Sequence, residues 1–239
     1  MKLTWLLPQR LGVENIDIQA IRELFSTTVW PEFGFVANLV ANGQGEFWGS
    51  TGSSRDISNE VDLAALVGLR RSADGVLVTA TTARKEKYRG SRNVSLAIVS
   101  RNGEFGDIPA VGPKEAGLKP VVLVTRFRHW LPNRLRFARH GITVIPQISF
   151  SAQFLATTLS SLGWNRVLVE AGPTYTSHLV RVGLVRQIRL TMTGLTQNLT
   201  PSDFERVALP ALVKLSASEF RLTSLANIDG TFFSCWDAN

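Results

Sequence analysis

The residues Glu170-Ala171-Gly172-Pro173-Thr174-Tyr175 follow a short apolar run, Val167-Leu168-Val169, and open a segment with helical character through Val182. A strand ending in a carboxylate, then a tight turn, then a helix start turns backbone N–H groups and a positive helix end toward a phosphate. Pro173 suits the first helical position, where its missing N–H costs nothing. Thr174 can add a hydroxyl, and Gly172 leaves room for a ligand close to the backbone. Glu170 falls at the C-terminal edge of its strand, the side on which α/β sheets hold ligands. The same residues also make an ordinary βα turn, so the motif alone leaves both readings open.

Other polar groups recur at the ends of expected strands. Asn38 and Asn42 lie four apart around the end of the first. Ser53-Ser54-Arg55-Asp56 precedes a long helix and could bind an anion or cap that helix. Arg70, on the helix's last turn, could serve a ligand or complement the dipole. Thr79-Ala80-Thr81-Thr82 leads into Arg84, Lys85, Glu86 and Lys87, and Ser100-Arg101 closes a further strand. Singly, each is explained by structure; jointly they set hydroxyls, amides and cations at successive strand ends. Common alternatives are missing: no Walker phosphate loop, no metal-type His pair and no G-x-S-x-G elbow. His129, His140 and His178 are isolated, and no metal site is expected. Gly43-Gln44-Gly45 starts like a dinucleotide fingerprint, but Trp48 stands at the third glycine position, so a loop or hairpin explains it better.

Elements able to position these groups are legible along the chain. Strands are expected at Phe33–Ala41, Gly75–Thr79, Val94–Ser100, Pro120–Thr125, Gly141–Ile145, Arg166–Glu170 and Arg186–Met192. Helices are expected at Ile57–Arg71, Pro132–Arg139, Ser151–Leu162 and Thr174–Val182, with Ser151 as a cap and Gly163 and Gly183 as stops. Arg221–Ala226 and Thr231–Trp236, joined through 227–230, read as an antiparallel hairpin. The alternation signals an α/β fold with a mostly parallel mixed sheet. At 239 residues with 44% hydrophobic content, one domain is the leading expectation, 1–239, with 1–30 as an N-terminal extension packing on it.

The net charge of +7 suits phosphorylated ligands, and the scattered basic residues make nucleic acid an unlikely partner. Cys235, the single cysteine, excludes an intramolecular disulfide. The opening apolar run is broken early by Pro8, and no segment has the length of a membrane span, so a cytoplasmic protein without a membrane partner is expected.

The order of these motifs resembles the reductase domain of riboflavin biosynthesis, found in the bifunctional pyrimidine deaminase/reductase and in stand-alone pyrimidine reductases. VLVEAGPTYTSHLVRVGLVRQIRLTMT (Val167–Thr193) is similar to the family's strand ending E-G-G-P-T with the following helix and strand. LVGLRRSADGVLVTATTARKEKY (Leu66–Tyr88) is similar to its L-R…A-D segment and T-v-R-x-E turn. FVANLVANG with the later SSRDIS, and the closing SLANIDGTFFSCW, complete the resemblance from about Phe33 to Trp236.

The resemblance implies a dihydrofolate-reductase-like three-layer α/β/α fold, commonly dimeric, that uses NADPH. The implied reaction reduces the ribose of a 5-amino-6-(5-phosphoribosylamino)uracil to ribityl by hydride transfer. Glu170 would then face the nicotinamide as the catalytic carboxylate. Gly172, Pro173, Thr174 and Tyr175 would hold the pyrophosphate, Asn38, Thr82 and Glu86 would complete the cofactor site, and Arg101 would meet the 2′-phosphate. Asn42, Ser54 and Arg70 would bind the phosphorylated pyrimidine. The family's D-G after the first strand is Asn42-Gly43 here, its E-G-G-P has Ala171, and its D-E after the second helix is Arg186-Gln187. Asp56 stands two residues after the substrate serine, where a carboxylate repels phosphate. A same-fold reductase for another small substrate, and a catalytically silent nucleotide-binding dimer, are the alternatives.

Overall fold

Each apolar run marked as a strand in the sequence forms one. The computed structural model describes residues 1–8, 13–32, 34–113, 115–147, 151–196 and 198–239. In chain order these form β1 (Lys2–Leu7), β2 (Val13–Asn15), α1 (Ile18–Ser26), β3 (Phe35–Asn42), α2 (Glu60–Ser72), β4 (Gly75–Thr79), α3 (Ala80–Lys85), β5 (Ser95–Ser100) and β6 (Val121–Arg126). Then follow α4 (Phe127–Ala138), β7 (Thr143–Gln147), α5 (Ala152–Ser161), β8 (Val167–Val169), α6 (Pro173–Arg181), β9 (Val185–Thr193), α7 (Pro201–Lys214), β10 (Arg221–Ile228) and β11 (Thr231–Asp237). Phe33, the expected first residue of the β3 strand, lies outside the described residues. The chain divides into two compact units, Ala73–Ala171 and Met1–Ser72 with Gly172–Asn239.

In the 73–171 unit, β8, β4, β5, β6 and β7 pair in that order, all parallel. Parallel strands are covered on both faces and therefore read as unbroken apolar runs; all six residues of β5 are buried. The start of β4 is fixed against the entry to β8. Asp74 Oδ2 accepts the N–H groups of Asn165 (2.9 Å) and Arg166 (2.7 Å), and Oδ1 accepts the Arg166 guanidinium (3.0 Å). Partial burial pushes the Asp74 carboxyl up, but the donations from Arg166 and Asn165 and the Arg166 charge outweigh it and hold the group below its ordinary range. Gly75 beside it has no room for a side chain, since a Cβ there would run into the Trp164 indole.

The other unit orders its strands β2-β1-β10-β11-β9-β3, antiparallel except for the parallel β9–β3 pair. Phe232 and Phe233 show how both faces of this sheet are covered, because neighbours on a strand point to opposite sides. Phe233 meets Phe25 of α1 and shares a cluster with Leu3, Ile21, Val61, Ala64 and Ala65, placing α1 and α2 on one face. Phe232 stacks on Phe204 of α7, placing that helix on the opposite face. The mixed sheet layered by helices and the C-terminal antiparallel hairpin are the expected architecture.

Several boundaries differ from the sequence expectation for identifiable reasons. Asn59, not the 53–56 segment, caps α2: its Oδ1 accepts the N–H groups of Val61 and Asp62, so the helix starts at Glu60 rather than Ile57. Helix α4 starts at Phe127, five residues before the expected Pro132, which lies inside it. Ser151 does cap α5, accepting the Phe154 N–H at 3.2 Å. The closing hairpin turns on only Asp229-Gly230, both at positive φ, while Asn227 Oδ1 accepts the Gly230 N–H, so β10 runs two residues longer than expected and β11 starts where expected. Helices α1, α3 and α7 and strands β1 and β2 were not among the expected elements.

Candidate active site

Within the 73–171 unit, two strand ends converge on one carboxylate. Past Thr79 the backbone turns into α3, with Thr79 Oγ1 accepting the Thr82 N–H (3.2 Å) and touching Thr82 Oγ1 at 3.0 Å. Thr82, expected to serve a cofactor, thus spends its N–H on the cap; both it and Glu86, the residue after the helix, are half-buried. Lys87 then adopts a left-handed conformation (φ 52), and the Tyr88 N–H returns to Ala83 O at 2.8 Å. This helix-ending reversal aims the Tyr88 hydroxyl at Glu170, to whose Oε2 it donates at 2.5 Å. Glu170 sits one residue past β8, is 7% exposed, and its own N–H donates to Leu77 O of β4. A carboxylate this buried needs such donors.

The neighbouring loop is built by Arg84, whose guanidinium donates to the carbonyls of Gly106 and Glu104. Ser100 Oγ donates to Asn102 and accepts the Glu104 N–H, shaping the turn that leaves Arg101 exposed directly after β5.

Within the other unit, Gly172 is the N-cap of α6 and Pro173 its first helical residue. Tyr175 N–H and Thr176 N–H both close onto Gly172 O at 3.1 Å, so the first turn keeps these donors for itself. Gly172 has φ −62, so left-handed backbone is not what requires glycine at this position. Pro173 and Thr174 line a cavity of about 430 Å³ with Ser177, Arg181, Glu46, Phe47, Trp48 and Lys214.

The loop after β3 forms the wall of that cavity. Asn42 folds it: its Oδ1 accepts the N–H groups of Gln44 and Glu46, and its Nδ2 donates to Glu46 Oε2 at 2.9 Å. The turn thereby returns a carboxylate to the side of position 42, where the sequence carries an amide. Gly45 (φ +69) is pressed onto α7, where a Cβ would meet the Ala211 backbone at 2.8 Å, and Lys214 Nζ donates to Gly45 O. The glycines of this stretch build a turn, as expected from the failed fingerprint.

Asp56 is also spent locally. Its carboxylate accepts the Thr51 hydroxyl and N–H, which hold it below the ordinary carboxylate range. Ser53 accepts the Arg55 N–H and caps the short 3₁₀ turn that carries Ser54. Further along, Ser58 Oγ donates to the buried Asp62 (2.6 Å), whose carboxyl is pushed up by burial against the opposing donations of Ser58 and Thr191. Ser54 and Arg70 are half-buried, and neither lines the cavity of Pro173 and Thr174. Asn38 is half-buried on β3, in register with Arg189 of β9. Gln187, one of the two positions after the helix that depart from the resemblance, lies in a polar chain, with Arg189 donating to Gln187 and Gln187 to Asp237.

Tyr88 and Glu46, with the cavity-lining Ser177, Arg181 and Lys214, are polar groups that reading along the chain does not single out. Tyr88 is set by the left-handed Lys87, for which residue type gives no cue, and Glu46 by a side-chain-folded turn. Among the described residues no group of three or more His, Cys, Asp or Glu could hold a metal ion, and no helix is long and apolar enough to cross a membrane.

The RibD C-terminal domain family matches residues 45–196. The chain belongs to this family. No curated protein matches it significantly. Among solved structures, a pyrimidine reductase-like protein from Corynebacterium diphtheriae superposes with a TM-score of 0.70 at 20% identity, over 90% of this chain and 98% of that one. The diaminohydroxyphosphoribosylaminopyrimidine deaminase/5-amino-6-(5-phosphoribosylamino)uracil reductase of Thermotoga maritima gives 0.63 at 15% identity, over 87% of this chain and 57% of that one. The riboflavin biosynthesis reductase Rib7 of Saccharomyces cerevisiae gives 0.54 at 12% identity, over 92% and 96%. At these identities the structural likeness is one of fold, and it identifies the RibD reductase fold as the architecture of this chain.

Proposed function

We propose that the protein is an NADPH-dependent reductase that converts the ribose of a 5-amino-6-(5-phosphoribosylamino)uracil to ribityl. The observation that carries this reading is Glu170: a buried carboxylate immediately after β8, bonded by Tyr88, with a helix N-terminus two residues later, in a chain of the RibD C-terminal family.

The residues present fit the cofactor. Gly172 puts no side chain over the start of α6, Thr174 offers an exposed hydroxyl, and the helix end carries partial positive charge suited to a pyrophosphate. Bound NADPH supplies the hydride. Glu170 would then face a ring on which positive charge develops, and Tyr88, donating to its Oε2, would fix the carboxylate's rotamer for that task. Thr82, Glu86, Asn38 and Tyr175 complete the cofactor contacts in this reading, with Arg101 on the 2′-phosphate. Ser54 and Arg70 bind the substrate phosphate, and Glu46, held by Asn42, supplies the carboxylate that position 42 lacks. The reading carries with it a homodimer working in the cytoplasm.

A second reading, a reductase for another small substrate, is favoured by one observation: the Asn42 amide is spent on Gln44 and Glu46. Titration with NADPH tests the cofactor in both readings, with saturable quenching of tryptophan fluorescence expected; no quenching and no thermal shift at saturating NADPH overturns both. Oxidation of NADPH with the phosphoribosylaminouracil, but not with other carbonyl substrates, separates them.

A further inference from the structure

The charge of this chain is not spread evenly. Between Ala116 and Val169 stand Lys119, Arg126, Arg128, Arg134, Arg136, Arg139 and Arg166 and no acidic residue; Arg166 pairs with Asp74 of an earlier segment, and the other six make a local basic excess. Five of these six fall at or on α4 and its C-terminal cap. That helix is oriented by its inner face: Phe137 and Asn133 are buried, Asn133 donates to His129 O, and the Trp130 indole N–H donates to Val144 O of β7. At 3.6 residues per turn, the opposite crest carries Phe127, Leu131 and Leu135, spaced by four. These are 60%, 53% and 71% exposed. Arg128 and Arg139 lie on one side of this stripe and Arg134 on the other, the last held over the Trp130 ring at 5.1 Å. Phe127 stacks on the same indole.

We infer that α4 is a docking face for an anionic lipid surface. An outward apolar crest between arginines is the pattern of a helix lying in a bilayer interface, with Phe and Leu entering the acyl boundary and the guanidinium groups meeting phosphates. Charge selects this occupant. A second copy presenting the same face would set arginine against arginine, while arginines on both sides of an apolar crest along one helix match an extended negative surface rather than one discrete ion pair. The apolar crest argues against nucleic acid, whose backbone offers charge without an apolar layer. The inference requires no spanning segment, and it revises the expectation that no membrane takes part.

The test is co-sedimentation of the full chain with phosphatidylcholine vesicles, with and without phosphatidylglycerol. Binding to the mixed vesicles only, weakened by raised salt, is expected. Arg134→Gln should lower the partition coefficient about fivefold, the effect of one arginine near an anionic surface. Leu131→Ser with Leu135→Ser should lower it at least about tenfold, and both side chains are exposed enough for the fold to be kept. Equal binding to neutral vesicles, no binding to either, or wild-type binding by the double variant overturns the proposal. So does a change in the molecular mass of the double variant in solution, which would make the crest a protomer interface. An acidic protein that competes for the face while anionic vesicles fail to bind would assign it to a protein partner instead.

Discussion

Replacing Tyr88 by Phe removes one hydroxyl and leaves the ring in place. The lost interaction is a 2.5 Å donation to a carboxylate that is 7% exposed. A hydrogen bond to a charged group contributes about 1.5–3 kcal/mol in such surroundings. For a chain of this length that corresponds to a fall in Tm of roughly 3–12 °C. Thermal unfolding followed by circular dichroism reads the effect, and a double-mutant cycle with Glu170→Gln isolates the pair. If the hydroxyl acts through Glu170, the two changes together should cost less than their sum by more than about 1 kcal/mol. The same cycle applied to NADPH affinity separates a positioning role from a structural one: Tyr88→Phe should weaken binding in the Glu170 background and change little once Glu170 is Gln. Additive stability effects, within about 0.5 kcal/mol, would refute the pairing.

Three further outcomes are expected. Burial raises the Asp62 carboxyl above its ordinary 3.8, so the folded state holds its proton more tightly than the unfolded state. The stability linked to this group is therefore full below that value and lost as pH rises through the folded pKa. Asp62→Asn should remove this decline from a Tm–pH profile, and an unchanged profile contradicts the assignment. Gly75→Ala drives a methyl into the Trp164 ring and should cost about 1–3 kcal/mol by denaturant unfolding, whereas a neutral effect would mean that the indole yields freely. Under the proposed function, Glu46→Gln should raise the substrate KM about fivefold, the effect of roughly 1 kcal/mol at an exposed polar contact; an unchanged KM would move Glu46 away from the substrate.

How far the sequence is legible depends on whether local pattern or tertiary contact sets each feature. Gly75–Thr79 reads correctly to the residue because a fully buried parallel strand is an unbroken apolar run between turn signals. Helix α5 reads correctly because Ser151 caps it through its own side chain. Helix α7 has a start signal, Thr200-Pro201 with Thr200 accepting the Asp203 N–H, but Pro210 in its interior hides its length. Strand β2, three residues long, is too short to register alone, and β1 is made by pairing with β10 across more than two hundred residues. At the candidate site, the backbone motif from Glu170 to Tyr175 was legible and its partners were not. Tyr88 reaches Glu170 through a reversal at Lys87, and Glu46 reaches position 42 through a turn folded by three hydrogen bonds of the Asn42 side chain, two of them with Glu46. Asp56 shows the converse: its charge in a phosphate-like loop is legible, but only its bonds to Thr51 show where it is spent.

The most direct test is turnover. Purified protein is mixed with NADPH and 5-amino-6-(5-phosphoribosylamino)uracil, and the loss of reduced nicotinamide is followed beside mass analysis of the pyrimidine. Stoichiometric NADPH consumption with formation of the ribityl product, strongly reduced by Glu170→Gln in protein that still binds NADPH, is the expected result. NADPH binding without conversion of this substrate, or conversion that persists undiminished in Glu170→Gln, would contradict the assignment of Glu170 and its strand end as the reductase centre.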